Sequence, residues 1–304
     1  MKPRELFRRG APFLFFLALS VPHHEISEWY QEYILIPVGM NGVQFYVNMI
    51  SAALGAVIIG YLYYRWRKER KVVGVALLSA VLILGLIALS DAALLVNNIE
   101  RIHFVQYAGV AFLLRLGLED NALVFFCTAY AGVLDEFIQY LMNPVRTSYL
   151  DFNDMVFNSL GAALGVVFAI VILSPERIRS SWYEMQFRRG FFALTSLTAA
   201  LIVLALVTGR IVTRGGGAEE RHVFSEVQGR LSFVISFESQ KQFWETADNG
   251  KTFHILRPWE GMMMLAAIVP ALWRIIIWLG NVKSRVREGA TTKSISRLEH
   301  ALKE

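Results

Sequence analysis

The residues best suited to chemistry come in spaced pairs within apolar stretches. His103 and Tyr107 stand four apart, Glu136 and Gln139 three apart, and Asp154 and Asn158 four apart, so each pair would share one face of a helix. Imidazole and carboxylate exchange protons. Tyr107, Gln139 and Asn158 add neutral hydrogen bonds, and Arg146, between the second and third pairs, adds a planar cation matched to phosphate or carboxylate. An ionisable side chain at membrane depth is costly unless it meets a partner or water, so each is a candidate functional residue.

Each also has a plainer role open to it. Asp151 or Asp154 could cap a helix N-terminus, where amide groups lack partners. His103 with Tyr107 could anchor at the headgroup level. Arg146 could hold an anionic lipid headgroup. Gly161 and Gly165, spaced like Ser51 and Gly55, read as packing positions where helix backbones approach closely. His23-His24-Glu25 lacks a third spaced ligand, and no other metal-ligand spacing, nucleotide-binding loop or nucleophile-and-base motif occurs, so neither metal nor cofactor is expected.

The elements that must position these residues follow from composition. In a chain of 304 residues, 55% are hydrophobic and 18% charged, with mean hydropathy +0.44; lipid is the solvent such a chain suits. Apolar runs of the roughly 20 residues that a spanning helix needs occur at Gln44–Tyr64, Val72–Leu95, Ile99–Leu118, Asn121–Met142, Asp154–Leu173, Gly190–Val207 and Gly261–Leu279. A shorter run, Ala11–Val21, follows Lys2, Arg4, Arg8 and Arg9 and can be read as a first retained helix or as a signal peptide. An echo favours retention. Glu28-x-x-Gln31 with Asn48 and Ala52-Ala53-Leu54-Gly55 resembles Glu136-x-x-Gln139 with Asn158 and Ala162-Ala163-Leu164-Gly165 about 110 residues later, unless alanine- and glycine-rich helices coincide by chance.

Charge sorts by alternate loop. Basic residues gather at Arg65–Lys71, at Arg177, Arg179, Arg188 and Arg189, and at Lys283, Arg285 and Arg287, whereas no lysine or arginine lies between Gly10 and Tyr64 and Arg146 is alone in its loop. By the positive-inside rule both termini are cytoplasmic. The net charge of +5 therefore reflects topology, and nucleic acid is excluded as a partner because no continuous basic patch forms. The lone cysteine, Cys127, rules out a disulfide framework.

The expected fold is an all-α polytopic membrane protein of about eight transmembrane helices, with a small extracytoplasmic β-containing insertion before the last. Residues 1–207 would form the helix bundle, 208–260 the insertion, 261–280 the last span and 281–304 a cytoplasmic tail. The insertion is marked by alternation of Leu231, Phe233, Ile235 and Phe237 and by a turn at Asn249-Gly250.

Ile102-His103-Phe104 with Tyr107, then Glu136-x-x-Gln139, then Arg146, then Asp154-x-x-x-Asn158-x-x-Gly161-x-x-x-Gly165, resembles the VanZ-like family of bacterial membrane proteins over residues 97–171. Glu100-Arg101 stands where that family commonly has an acid followed by lysine. The stretch from Arg146 to Asp154 is about two residues long for the pattern, which leaves Asp151 and Asp154 competing for one position; the spacing to Asn158 favours Asp154. The resemblance implies an envelope protein, and its founding member is associated with low-level resistance to the glycopeptide teicoplanin.

Two functions follow as expectations. In the first, an outward polar pocket of His103, Tyr107, Glu136, Gln139, Arg146, Asp151, Asp154 and Asn158 binds a membrane lipid or lipid-linked envelope molecule without converting it. In the second, the chain is a hydrolase or transferase on such a substrate, with Glu136 or His103 as general base, Asp154 orienting it and Arg146 stabilising phosphoryl charge. Ion-coupled transport fits least, since transport sites favour the bilayer midplane.

Overall fold

A computed structural model of the chain describes residues 10–11, 14–18, 29–67, 70–95, 98–118, 120–142, 149–173, 182–215, 223–227, 229–237, 243–246 and 250–301. Seven helices carry the fold: α1 (Ile36–Trp66), α2 (Arg70–Ala93), α3 (Ile102–Gly117), α4 (Asn121–Met142), α5 (Phe152–Ile172), α6 (Trp182–Val207) and α7 (Pro258–Ala301). Six stretches within them are long and apolar enough to cross a membrane, and α3 is a shorter apolar helix. Their outer faces are those of a chain dissolved in lipid: Leu194, Leu197, Leu201, Val203 and Leu204 of α6 are all exposed.

The helix at the centre is α5. Val156, Phe157, Leu160, Ala162, Ala163, Val166 and Val167 are fully buried, and α5 packs on α2, α3, α4 and α7. Its glycines set how close these neighbours come. A Cβ on Gly161 would lie 2.5 Å from Phe104 O, one on Gly165 would lie 2.7 Å from Ala108 Cα, and one on Gly132 of α4 would lie 2.6 Å from Asn158 Cβ. Near-contact of backbones substitutes for the hydrophobic driving force that lipid does not supply. Phe15, on the short described helical stretch 14–18, lies against Gly109 of α3.

Both ends of the long helices depart from the sequence boundaries. α1 starts earlier, behind a π-helical turn (Gln31–Leu35), with Pro37 in its first turn and a break at Gly39, φ 75°; proline tolerates a first turn because its missing N–H has no partner there. α7 runs unbroken to Ala301, so the segment set apart as a tail is largely a continuation of the last span.

Among the described residues between α6 and α7 are five strands. β1 (Ile211–Gly215), β3 (Arg230–Phe237) and β2 (Phe224–Val227) form one sheet with β3 in the middle, parallel to β1 and antiparallel to β2; β4 (Glu245–Thr246) and β5 (Thr252–Phe253) form an antiparallel pair. Gly250, φ 80°, turns the chain just before β5, while Asn249 lies outside the described residues. The sheet docks on the helix ends. Tyr140 OH donates to Val234 O at 2.6 Å and accepts from Ser236 N at 3.0 Å, and Leu150 N donates to Ser236 O at 3.2 Å. The loop before α7 is tied by Asn153, whose Nδ2 donates to Leu94 O and His254 O at 2.9 and 3.0 Å and whose Oδ1 accepts from Leu256 N at 2.9 Å. Hence the end of α2, the end of α4, the start of α5 and the start of α7 share one face with the β-element.

Candidate functional site

The site is assembled from three helices near that face. Asp151 settles the first question of role: it is the N-cap of α5, accepting from Asn153 N at 2.8 Å and Asp154 N at 3.2 Å. With the cap supplied there, the side chain of Asp154 is released toward α3, where its Oδ2 stands 3.3 Å from His103 Nε2. One turn further along α5, Asn158 Oδ1 lies 3.0 Å from His103 Nδ1, and Asn158 Nδ2 reaches Glu136 Oε1 and Gly132 O, each at 3.3 Å. A Cβ at position 132 would occupy this crossing, so glycine lets α4 approach Asn158.

His103, Glu136 and Asn158 are all buried, with Asn158 fully so. Ligand atoms of His103, Glu136 and Asp154 lie within 4.8 Å of one another. Asp135, which the sequence reading passed over, joins from α4: 3% exposed, it accepts from Tyr107 OH at 2.8 Å. The signal was present, since Asp135 is a second acid within the same apolar span. Among the described residues, Asp135 Oδ1, Asp154 Oδ1 and Gln139 Nε2 are buried without a hydrogen-bond partner. Glu136 lies within electrostatic reach of Asp135 and Asp151, and Asp154 within reach of Asp151, Glu136, Glu100 and Asp135.

Of the residues singled out from sequence, the structure brings His103, Glu136, Asp154 and Asn158 together, while Tyr107 bonds Asp135, the chain neighbour of Glu136. Asp151 serves as a cap beside them. Arg146 lies outside the described residues, as do His23-His24-Glu25. Gly161 and Gly165 lie at the α3–α5 crossing.

A second polar group sits on the same face. Arg101, in the 3-10 turn Asn98–Arg101 before α3, grips Asp91 through two nitrogens at 2.6 and 3.0 Å and also reaches Asn48. Lys251 donates to Asp91 O at 2.8 Å, and partial burial lowers the pKa of its amine. His254 is held between Phe243 O at 2.7 Å and Glu260 Oε2 at 3.0 Å and stacks on Phe243. These contacts are structural clamps on the loops. An apolar cavity of about 330 Å³ opens beside the polar cluster, lined by Phe126, Tyr130, Val133, Ser159, Phe191 and Leu265 among others. Val133 and Ser159 adjoin Gly132 and Asn158 in sequence.

No protein-family model, curated protein or solved structure matches the chain. The class that the fold defines is a mostly helical protein with six helices of membrane-crossing length and apolarity and a small β-element.

Proposed function

We propose that this chain is a VanZ-like protein of the bacterial inner membrane that binds an amphiphilic envelope component, a membrane lipid or lipid-linked precursor, in an outward-facing site. The observation that carries this reading is a buried polar network on α3, α4 and α5 together with an apolar cavity lined by α4, α6 and α7, to which α5 adds Ser159. The network, His103–Asn158–Glu136 with Asp154, offers hydrogen bonds to a polar headgroup. The cavity is lined by aromatic and aliphatic side chains and suits a hydrocarbon chain. Eight crossings are reached if α3 and the apolar segment at Ala11–Val21 span in addition to the six membrane-length helices. Positive charge at Arg65–Lys71 and in the first turns of α6, at Arg188–Arg189, supports a cytoplasmic side for those ends, with the β-element and the polar cluster on the opposite side. Resistance to glycopeptides is the physiological role that the family resemblance suggests.

The test is lipid retention. Protein purified in mild detergent should carry an amphiphile identifiable by native mass spectrometry, and Val133→Trp, which fills the cavity, should strip it while leaving the fold intact. An identical lipid complement in wild type and Val133→Trp would refute the assignment.

One observation favours a second reading, a hydrolase or transferase on the same substrate class. His103 is held by the Asn158 amide at Nδ1 and faces the acid Asp154 at Nε2, an imidazole–carboxylate pair of the kind proton transfer uses. Turnover of a lipid-linked phosphate abolished by Glu136→Gln, with binding kept, would select this reading.

A further inference from the structure

The orientation of the Asn158 amide determines what His103 presents to the cluster. Gly132 O can only accept a hydrogen bond, so the Asn158 atom 3.3 Å from it is the amide nitrogen. The amide oxygen therefore faces His103 Nδ1 at 3.0 Å and takes its proton. A neutral ring held this way directs the lone pair of Nε2 at Asp154 Oδ2, 3.3 Å away, with a Glu136 oxygen in the same 4.8 Å cluster. Three acceptors converge there. Such a group is repulsive unless positive charge lies between its members, and a histidine whose remote nitrogen is fixed by an amide or carboxylate is the usual arrangement behind a metal ligand.

Two further facts point to a cation of charge two. Asp154 Oδ1 is buried and, among the described residues, lacks a hydrogen-bond partner. Among the same residues, His103 is the one basic group within ion-pair distance of Asp135, Glu136 or Asp154. A single proton on the imidazole balances one carboxylate, whereas a divalent ion balances both Glu136 and Asp154 and so lowers the residual charge beside lipid, where such charge is costly.

We propose that His103 Nε2, Glu136 and Asp154 bind a divalent transition ion, Zn²⁺ or Mn²⁺, with Asn158 as the positioning residue. One imidazole and two carboxylates suit borderline Zn²⁺, or Mn²⁺ with its preference for carboxylate oxygens, better than Ca²⁺, which takes six to eight oxygens. Ligands about 2.1 Å from one ion stand roughly 3.4 Å apart in a tetrahedron, so the 4.8 Å span closes by small side-chain rotations. Three protein ligands leave a coordination position open. If the amphiphile reading is right, a headgroup phosphate would fill that position; the ion site itself rests on the cluster alone.

The experiment uses the full chain in detergent, stripped with chelator and titrated with Zn²⁺ or Mn²⁺ in the absence of added lipid. About one tightly bound ion per chain is expected by elemental analysis, with a rise in unfolding temperature at saturating ion. Asp154→Asn and His103→Ala should weaken affinity more than ten-fold, and Asn158→Ala by about ten- to a hundred-fold. Ion binding should release protons and strengthen as pH rises, because protons compete for the ligands. A wild-type chain that binds no ion and shows no thermal shift overturns the proposal without any variant. Undiminished binding by a folded His103→Ala/Asp154→Asn double variant also overturns it, by putting the ion elsewhere. Arg146→Ala is the control for a protein cation in this role: an ion bound by that variant and not by wild type would show that Arg146 fills the site, and the proposal would fail. Lipid retention is read separately, so an empty amphiphile site with a bound ion rejects only the amphiphile reading.

Discussion

Asn158 holds His103 by its Nδ1 nitrogen, Oδ1 to Nδ1 at 3.0 Å, while its own amide nitrogen bridges to Glu136 and to Gly132 O on α4. One fully buried amide thus joins α3, α4 and α5. Replacing it with leucine keeps approximate volume and strands at least three polar partners. Leaving a buried group unsatisfied costs about 1 to 3 kcal/mol, so Asn158→Leu should lower unfolding stability by at least that much, measured by thermal unfolding in detergent. Asn158→Leu with unchanged stability would mean that the network is not formed.

The glycines of α5 make a prediction with a built-in contrast. A Cβ at Gly165 or Gly161 would strike the backbone of α3, which cannot swing aside, whereas at Gly85 of α2 nothing lies within 4 Å. Gly165→Val should destabilise by about 1 to 3 kcal/mol or more through overpacking, and Gly85→Ala should be neutral or stabilising through helix propensity. Equal effects at both positions would contradict the close α3–α5 crossing.

Asn153 ties three chain segments by three hydrogen bonds and is itself buried. Asn153→Ala removes all three, and a loss of about 1 to 3 kcal/mol for each unsatisfied buried group sets the scale. Limited proteolysis should then cut the 250–257 stretch faster than in wild type. Cleavage at the wild-type rate would show that other contacts hold this loop.

Tyr140→Phe deletes only a hydroxyl, yet that hydroxyl bonds both Val234 O and Ser236 N of β3. The ring contact with Phe233 at 6.1 Å remains. Amide exchange across Arg230–Phe237 should accelerate while α4 stays protected. Unaltered exchange in β3 would mean that the strand is held by the sheet alone.

Membrane sidedness is tested with single cysteines after Cys127→Ser. An impermeant thiol reagent applied to intact cells should label a cysteine at Gly250 and spare one at Arg67. The reverse pattern would invert the topology.

Much of this architecture is legible without coordinates because hydrophobic length and loop charge are local quantities. The seven apolar runs foretold α1 to α7, six of which hold a membrane-length stretch while α3 is shorter, and the alternation from Leu231 to Phe237 gave strand β3, each from residues adjacent in the chain. Helical spacing likewise put His103 with Tyr107, and Asp154 with Asn158, on shared faces. Which face meets which was another matter. That Asp151 caps α5 and so frees Asp154, that Asp135 takes the Tyr107 hydroxyl, and that Glu136 is bridged to His103 by Asn158 all depend on residues up to 55 positions apart. The parallel pairing of β1 with β3 and the three-way tie at Asn153 are of the same kind. A sequence fixes the period of a helix, and hence which side chains point together, but the partner of each face is chosen by packing. Here that choice was made by backbone approach at Gly132, Gly161 and Gly165, where the absence of a Cβ lets three helices close around one histidine.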